Sequence, residues 1–140
     1  FVAQAVDWIP ESLFQIVTAA FRHRGLSFVR ILQRCPEFVG GMFEPWVHDP
    51  QRMLMLTHEN GLKVSPALQK IYRNQIVHDP ADINRAREIA SSEDPIPVGI
   101  LYHNPQVPCY EDLRGAGKLR TTDTIRSSLE AEFDKFTVWP

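Results

Sequence analysis

Phe1-Val2-Ala3-Gln4-Ala5-Val6, then Pro10-Glu11-Ser12-Leu13-Phe14-Gln15-Ile16-Val17-Thr18-Ala19-Ala20-Phe21-Arg22, then Leu26-Ser27-Phe28-Val29-Arg30-Ile31-Leu32 form the stretch that decides the fold. The first run has the composition of a strand. From Pro10 to Arg24, the apolar residues Leu13, Phe14, Ile16, Val17, Ala20 and Phe21 recur at the i, i+3, i+4, i+7 spacing of an amphipathic helix. Pro10 suits its first turn and Gly25 supplies its stop. The third run is β-branched and aromatic, and reads as a largely buried strand. Strand, crossover helix and strand make a βαβ unit, which predicts an α/β fold with a parallel sheet. Ligands of such sheets collect just beyond the carboxyl ends of the strands, here at Gln33, Arg34, Cys35 and Pro36.

Downstream the pattern changes. Between Glu37 and Pro50, Gly40, Gly41, Pro45 and Pro50 break any period, yet Phe38, Met42, Phe43 and Trp46 are too apolar for a solvated loop, so the segment is expected to pack across another surface. Arg52 to Thr57 reads as a strand, and Asn60-Gly61 predicts a hairpin turn into Leu62-Lys63-Val64. Ser65-Pro66 predicts the start of a helix over Ala67 to Gln75, and Asp79-Pro80 the start of another over Ala81 to Ser92. Pro97 to His103 is a further β-type run ended by Asn104-Pro105. Gly115 to Thr121 is expected to be mobile. A last helix is placed near Thr124 to Phe136, with Ile125, Leu129, Phe133 and Phe136 as its stripe.

Of the 140 residues, 44% are apolar and 23% charged, enough to bury a core and not the composition of a disordered tail. Lysine plus arginine number 15 against 17 acidic residues, a net charge of −2 with no run of one sign, which argues against nucleic-acid or membrane-surface binding. The longest apolar run, Phe14 to Phe21, is interrupted by Gln15 and Thr18 and falls short of the roughly 20 residues that cross a bilayer. Two cysteines, Cys35 and Cys109, do not make a disulfide framework, so a soluble, cytoplasmic, reducing setting is expected. The sequence opens without methionine inside a strand-like run, the expectation for a piece of a longer chain. Two strands and a helix leave faces and edges uncovered, so the piece is expected to be neither stable alone nor a self-sufficient enzyme.

No nucleophile elbow, phosphate loop, dinucleotide glycine signature or paired-cysteine metal motif occurs. His23, His48, His58, His78 and His103 show no helical metal spacing and read as scattered surface residues. His58-Glu59 beside Asn60-Gly61 reads as part of a turn. The tetrapeptide Val-His-Asp-Pro occurs at 47–50 and again at 77–80, its aspartate standing where a helix or turn takes an N-cap. Cys35 is the exception: it follows a strand at the ligand-collecting end and is backed by Pro36, which stiffens a loop holding a thiolate.

The run Phe1 to Trp8 and the block His23-Arg24-Gly25-Leu26-Ser27-Phe28-Val29-Arg30-Ile31-Leu32-Gln33-Arg34-Cys35-Pro36 closely resemble the end of the thiamine-diphosphate domain in beta subunits of 2-oxoacid:ferredoxin oxidoreductases. Val98-Gly99-Ile100-Leu101-Tyr102-His103-Asn104-Pro105 with Tyr110-Glu111 resembles that family's C-terminal tail. The resemblance implies the C-terminal βαβ portion of a thiamine-diphosphate-binding parallel-sheet domain at residues 1–36, followed by an α+β beta-subunit extension at 37–140. It implies oxidative decarboxylation of a 2-oxoacid, with electrons passed through a 4Fe-4S cluster to ferredoxin and coenzyme A taking the acyl group. Thiamine diphosphate and magnesium are the other cofactors implied, and an alpha subunit the other partner. Cys35 stands where the family has the fourth cluster ligand. The other three ligands and the Gly-Asp-Gly element that holds magnesium are not in this sequence, and Gln33-Arg34 replaces the family's usual serine-proline. Cys109 matches no required cysteine. The segment from Met42 to Asn104 looks more like the 2-oxoglutarate branch than the pyruvate branch.

Arg34 is open to two readings, a cation near the cluster or a solvent-facing partner of a carboxylate. Two other function classes stand beside the enzyme reading. One is a non-catalytic α/β interaction module anchored by Phe38, Phe43, Trp46 and Trp139. The other is an independent hydrolase, for which the sequence shows no nucleophile–base pair.

Overall fold

A computed structural model describes residues 1–38, 40–59, 62–115 and 121–136. It divides into two compact units, Phe1–Val107 and Pro108–Pro140.

The first unit is built on a five-stranded, mostly parallel sheet. Strand β1 (Val2–Val6) is followed by helix α1 (Pro10–Arg22) and strand β2 (Phe28–Leu32). β1 and β2 pair in parallel from Val2 opposite Phe28 to Val6 opposite Leu32, the expected βαβ unit. Pro10 opens α1, and Gly25, at φ +129°, turns the chain back toward β2. Helix α2 (Glu44–His48) leads into strand β3 (Met53–Thr57), helix α3 (Pro66–Ile71), strand β4 (Gln75–Val77), helix α4 (Ile83–Ala90) and strand β5 (Ile96–Tyr102). The strand order is β2-β1-β5-β3-β4. β3, β4 and β5 are mutually parallel, whereas β1 and β5 are antiparallel.

This order corrects several expectations. β1 has β5 on its other side, so the opening unit is part of a five-stranded sheet and not a two-stranded piece. β2 is not largely buried. It pairs only with β1 among the described residues, and Phe28 is 60% exposed. The stripe of α1 divides in two: Leu13, Ile16 and Ala20 face the core, whereas Phe14, Val17 and Phe21 face outward, Phe21 at 90% exposure. Among the described residues no hairpin follows β3. Leu62 to Val64 lie outside the sheet, Val64 goes into the core, and Asn60 and Gly61 lie outside the described residues.

β3 instead pairs in parallel with β4, which takes Gln75 from the expected helix, so α3 ends at Ile71. Ser65 caps α3 as expected, accepting the Leu68 N–H. The cap of α4 is Asp82, which accepts the Asn84 and Arg85 N–H groups, while Asp79 accepts only from Ala81.

Met55 and Leu56, like Ile100 and Leu101, are consecutive strand residues and point to opposite faces. Met55 and Ile100 join the larger cluster with Ile16 of α1, while Leu56 and Leu101 pack with Ile89 of α4. Helices therefore cover both faces.

The second unit holds helix α5 (Tyr110–Leu113) and helix α6 (Thr122–Asp134), the latter capped by Thr121. Ile125, Leu129, Phe133 and Phe136 are all exposed. Most of the stretch expected to be mobile, residues 116–120, lies outside the described residues.

Gly99 sits in β5 at φ +140°, and a Cβ there would stand 2.7 Å from Leu56 Cβ and 2.9 Å from Leu56 O. Gly99→Ala should therefore strain the junction of β5 with β3 and destabilise the chain by about 2–4 kcal/mol. Urea midpoints of the two proteins measure this, and an unchanged midpoint contradicts it.

Candidate functional site

Because β1 and β2 run opposite to β3, β4 and β5, the sheet has two distinct carboxyl ends, and the chemistry-bearing residues divide between them.

At the end reached by β2, the chain passes Gln33 and Arg34 to Cys35, a free, half-buried thiol. Asp7, directly after β1, fixes this passage. Its own N–H donates to Leu32 O at 3.1 Å, and its carboxylate accepts the Arg34 backbone N–H at 3.2 Å and the Arg34 Nε at 3.0 Å. The Arg34 guanidinium lies 5.8 Å from the Trp8 ring centre. Of the two readings of Arg34, the structure thus gives the carboxylate partner. Beyond Cys35 is a cavity of about 330 Å³ lined by Cys35, Pro36, Gly40, Gly41, Phe43 and His48, among others. Among the described residues no three His, Cys, Asp or Glu side chains converge as a metal site, so Cys35 is not part of such a group within this chain's described residues. Cys109 is also free. It belongs to the second unit, where its Sγ lies 3.0 Å from Asp112 Oδ2.

The expected packing segment folds back on its own unit. Phe43 lies 5.7 Å from Trp8 and 6.2 Å from Trp46 by ring centres. Trp46 stacks on Arg52, which pairs with Asp94 at 2.7 Å. Of the four anchors proposed for an interaction module, Phe43 and Trp46 are thus engaged internally, Phe38 is exposed, and Trp139 lies outside the described residues.

The opposite end overturns the reading of His58, His78 and His103 as scattered surface residues, while His48 is exposed as expected. His58, His78 and His103 each stand directly beyond the carboxyl end of a strand in the parallel block β4-β3-β5. Backbone bonds lace these loops together: His78 N–H donates to Thr57 O at 2.9 Å and His103 N–H to Pro80 O at 2.8 Å. His58 and His78 are only 7% and 3% exposed, with ring centres 5.9 Å apart.

A carbonyl oxygen only accepts, so each short ring contact fixes a tautomer. His58 Nδ1–H donates to His78 O and His78 Nε2–H to Leu101 O, both at 2.7 Å. The remaining nitrogens, His58 Nε2 and His78 Nδ1, are buried without a hydrogen-bond partner among the described residues. A second pair, His23 and His103, meets at 3.2 Å. Burial is the first cause holding His23, His58 and His103 below the ordinary imidazole pKa.

The sequence signal for this cluster was positional, a histidine one residue past each parallel strand. It was hidden because β4 carries no strand signal of its own: Gln75 falls at the end of the expected helix, and Ile76-Val77 is too short to read as a strand. In the two Val-His-Asp-Pro copies, Asp49 and Asp79 do the same thing, each accepting the N–H two residues on, but His48 is exposed and His78 buried.

Residues 68–117 match the family model for the C-terminal region of the pyruvate ferredoxin oxidoreductase beta subunit. A 2-oxoacid:ferredoxin oxidoreductase beta subunit of Aeropyrum pernix and one of a Sulfolobus species are each 26% identical to it over 117 residues. The chain is similar to these beta subunits. The aligned region covers 80% of this chain and 34% of each relative, so the chain spans about a third of the length of the curated relatives it matches. No solved structure gives a significant match. The family model includes Val98 to Glu111, the stretch that resembled the family's tail, together with His78 and His103. No helix among the described residues is long and apolar enough to cross a membrane.

The lowered pKa of His58 has a definite sign. Folded His58 stays neutral at a pH where the unfolded imidazole, with its ordinary value of 6.5, takes up a proton, so stability is complete above 6.5 and is lost as pH falls below it. Urea midpoints measured with a chelator should fall between pH 7.5 and pH 5.5, and fall less in His58→Asn; equal slopes contradict the assignment.

Proposed function

We propose that the chain is the C-terminal part of the beta subunit of a 2-oxoacid:ferredoxin oxidoreductase, and that Cys35 supplies one thiolate ligand of its 4Fe-4S cluster. The similarity to the two beta subunits carries the first statement. The placement of Cys35 supports the second: a free thiol beyond a parallel strand, on a loop fixed by Asp7, beside a cavity of about 330 Å³. Such a cluster, when bound, moves electrons one at a time between an enzyme's reaction centre and ferredoxin. This chain's residues hold and orient the thiolate. The Asp7 clamp sets where Cys35 sits, and the charge of Arg34 is balanced by Asp7.

Thiamine diphosphate and magnesium belong to the complete enzyme in this reading. Among the described residues no group of three His, Cys, Asp or Glu side chains would hold the magnesium, and no step of decarboxylation is assigned to a residue of this chain. Residues 1–36 would close the thiamine-diphosphate domain and 37–140 form the extension. The outward face of α1 and the edge strand β2, with Phe14, Phe21 and Phe28 exposed, are where the rest of that domain would pack. The alpha subunit, ferredoxin, the 2-oxoacid and coenzyme A are the partners of the assembled enzyme, which the reading places in the cytoplasm. Within the 2-oxoacids we place 2-oxoglutarate ahead of pyruvate, on the character of the segment from Met42 to Asn104.

In the complete enzyme, Cys35→Ala should remove cluster iron and acid-labile sulfide and abolish ferredoxin reduction, while Cys109→Ser should leave all three intact. Unchanged iron and sulfide in Cys35→Ala refutes the ligand assignment. Absence of an iron–sulfur chromophore from the wild-type complex favours the interaction module. Dye reduction with pyruvate faster than with 2-oxoglutarate reverses the substrate order.

A further inference from the structure

We infer that His58 and His78 form a binding site for a divalent transition-metal ion of the zinc type, at the end of the sheet opposite Cys35. Neutral imidazole is the commonest protein ligand for such ions. A histidine that binds metal through one nitrogen almost always donates its other N–H to a carbonyl, carboxylate or water, which fixes the tautomer and aims the lone pair. Both rings already have this arrangement. Each donates one N–H to a backbone carbonyl at 2.7 Å and keeps a buried nitrogen with a lone pair and no partner among the described residues. Two such nitrogens left unsatisfied are costly, and a shared cation satisfies both without displacing a proton.

The surroundings suit a cation. A cavity of about 580 Å³ is lined by both histidines together with Glu59, Asp79 and His103. The loops that carry them are tied by the Thr57–His78 and Pro80–His103 backbone bonds, so the pair is held in place without a metal. The described residues do not bring a third donor to the two nitrogens, so this is a two-imidazole half-site. Glu59 and Asp79, each following one of the histidines, are the nearest carboxylates in sequence to complete it, with solvent in the remaining positions. The inference does not depend on the proposed enzymatic function, because neither histidine takes part in the Cys35 loop.

The test uses two substitutions that keep each hydrogen bond and remove only the lone pair. In His58→Asn the amide replaces Nδ1–H, and in His78→Gln it replaces Nε2–H. The intact protein is stripped with chelator and dialysed to equilibrium against Zn²⁺, and bound zinc, iron and sulfide are measured on the same samples. Wild type should bind one equivalent of zinc that both variants lose or hold at least tenfold more weakly, and His23→Ala should retain it. Equal zinc binding by wild type and the folded double variant overturns the inference, as does no zinc bound by wild type, the outcome if a buried water serves the two nitrogens. Iron and sulfide report separately on Cys35.

Discussion

The antiparallel contact between β1 and β5 governs everything else, and the side chain of Gln4 secures it. Gln4 is 2% exposed in the middle of the sheet, where an amide is tolerated only if its polar atoms are paired. Its Nε2 donates to Pro97 O of β5 at 2.7 Å, and its Oε1 accepts from Arg30 Nε of β2. One side chain thus ties three neighbouring strands together. Gly99, opposite Gln4 in the register, lets β5 approach β3 from the other side. A side chain at 99 would press on Leu56, and an apolar residue at 4 would leave Arg30 without that acceptor.

Reversal of direction at this contact is what gives the sheet two carboxyl ends. In a uniformly parallel sheet Cys35 and the three histidines would share one edge and compete as parts of one site. Here they are separated by the length of the strands, so the thiol end and the imidazole end are chemically independent. A role for either has to be argued from its own loops.

The opening βαβ unit was legible because helix and strand periods differ and the change from one to the other is sharp at Gly25. Its burial was not legible. Periodicity marks which residues are apolar but not which strand lies at an edge, and Phe28 and Ile31 read like core residues while standing on one. β4 was missed because three residues, Gln75 to Val77, are too short for any period, and the helix expected from the Ser65-Pro66 cap takes the first of them. With β4 missing, Asn60-Gly61 offered β3 the local partner that a hairpin supplies, whereas the true partners, β4 and β5, arrive through helices. Cys35 could be singled out because its strand was recognised. The histidines could not, because two of the three strands that place them gain their meaning only from the order β4-β3-β5.

The Asp7–Arg34 pair shows how little of a site's electrostatics a sequence contains. An arginine next to a thiol suggests a positive field at the sulfur. Yet Asp7, 27 positions earlier, reaches both the guanidinium and the backbone N–H of Arg34. The half-exposed ion pair contributes no more than about 1 kcal/mol to stability, and its field at Cys35 is that of a compact dipole and not of a bare cation. The backbone bond matters more. It fixes the main chain one residue before Cys35, and the direction of the thiol follows from the main chain more than from a distant charge. The pairing of β1 with β2 puts Asp7 within reach, so the same register that builds the sheet also aims the thiol.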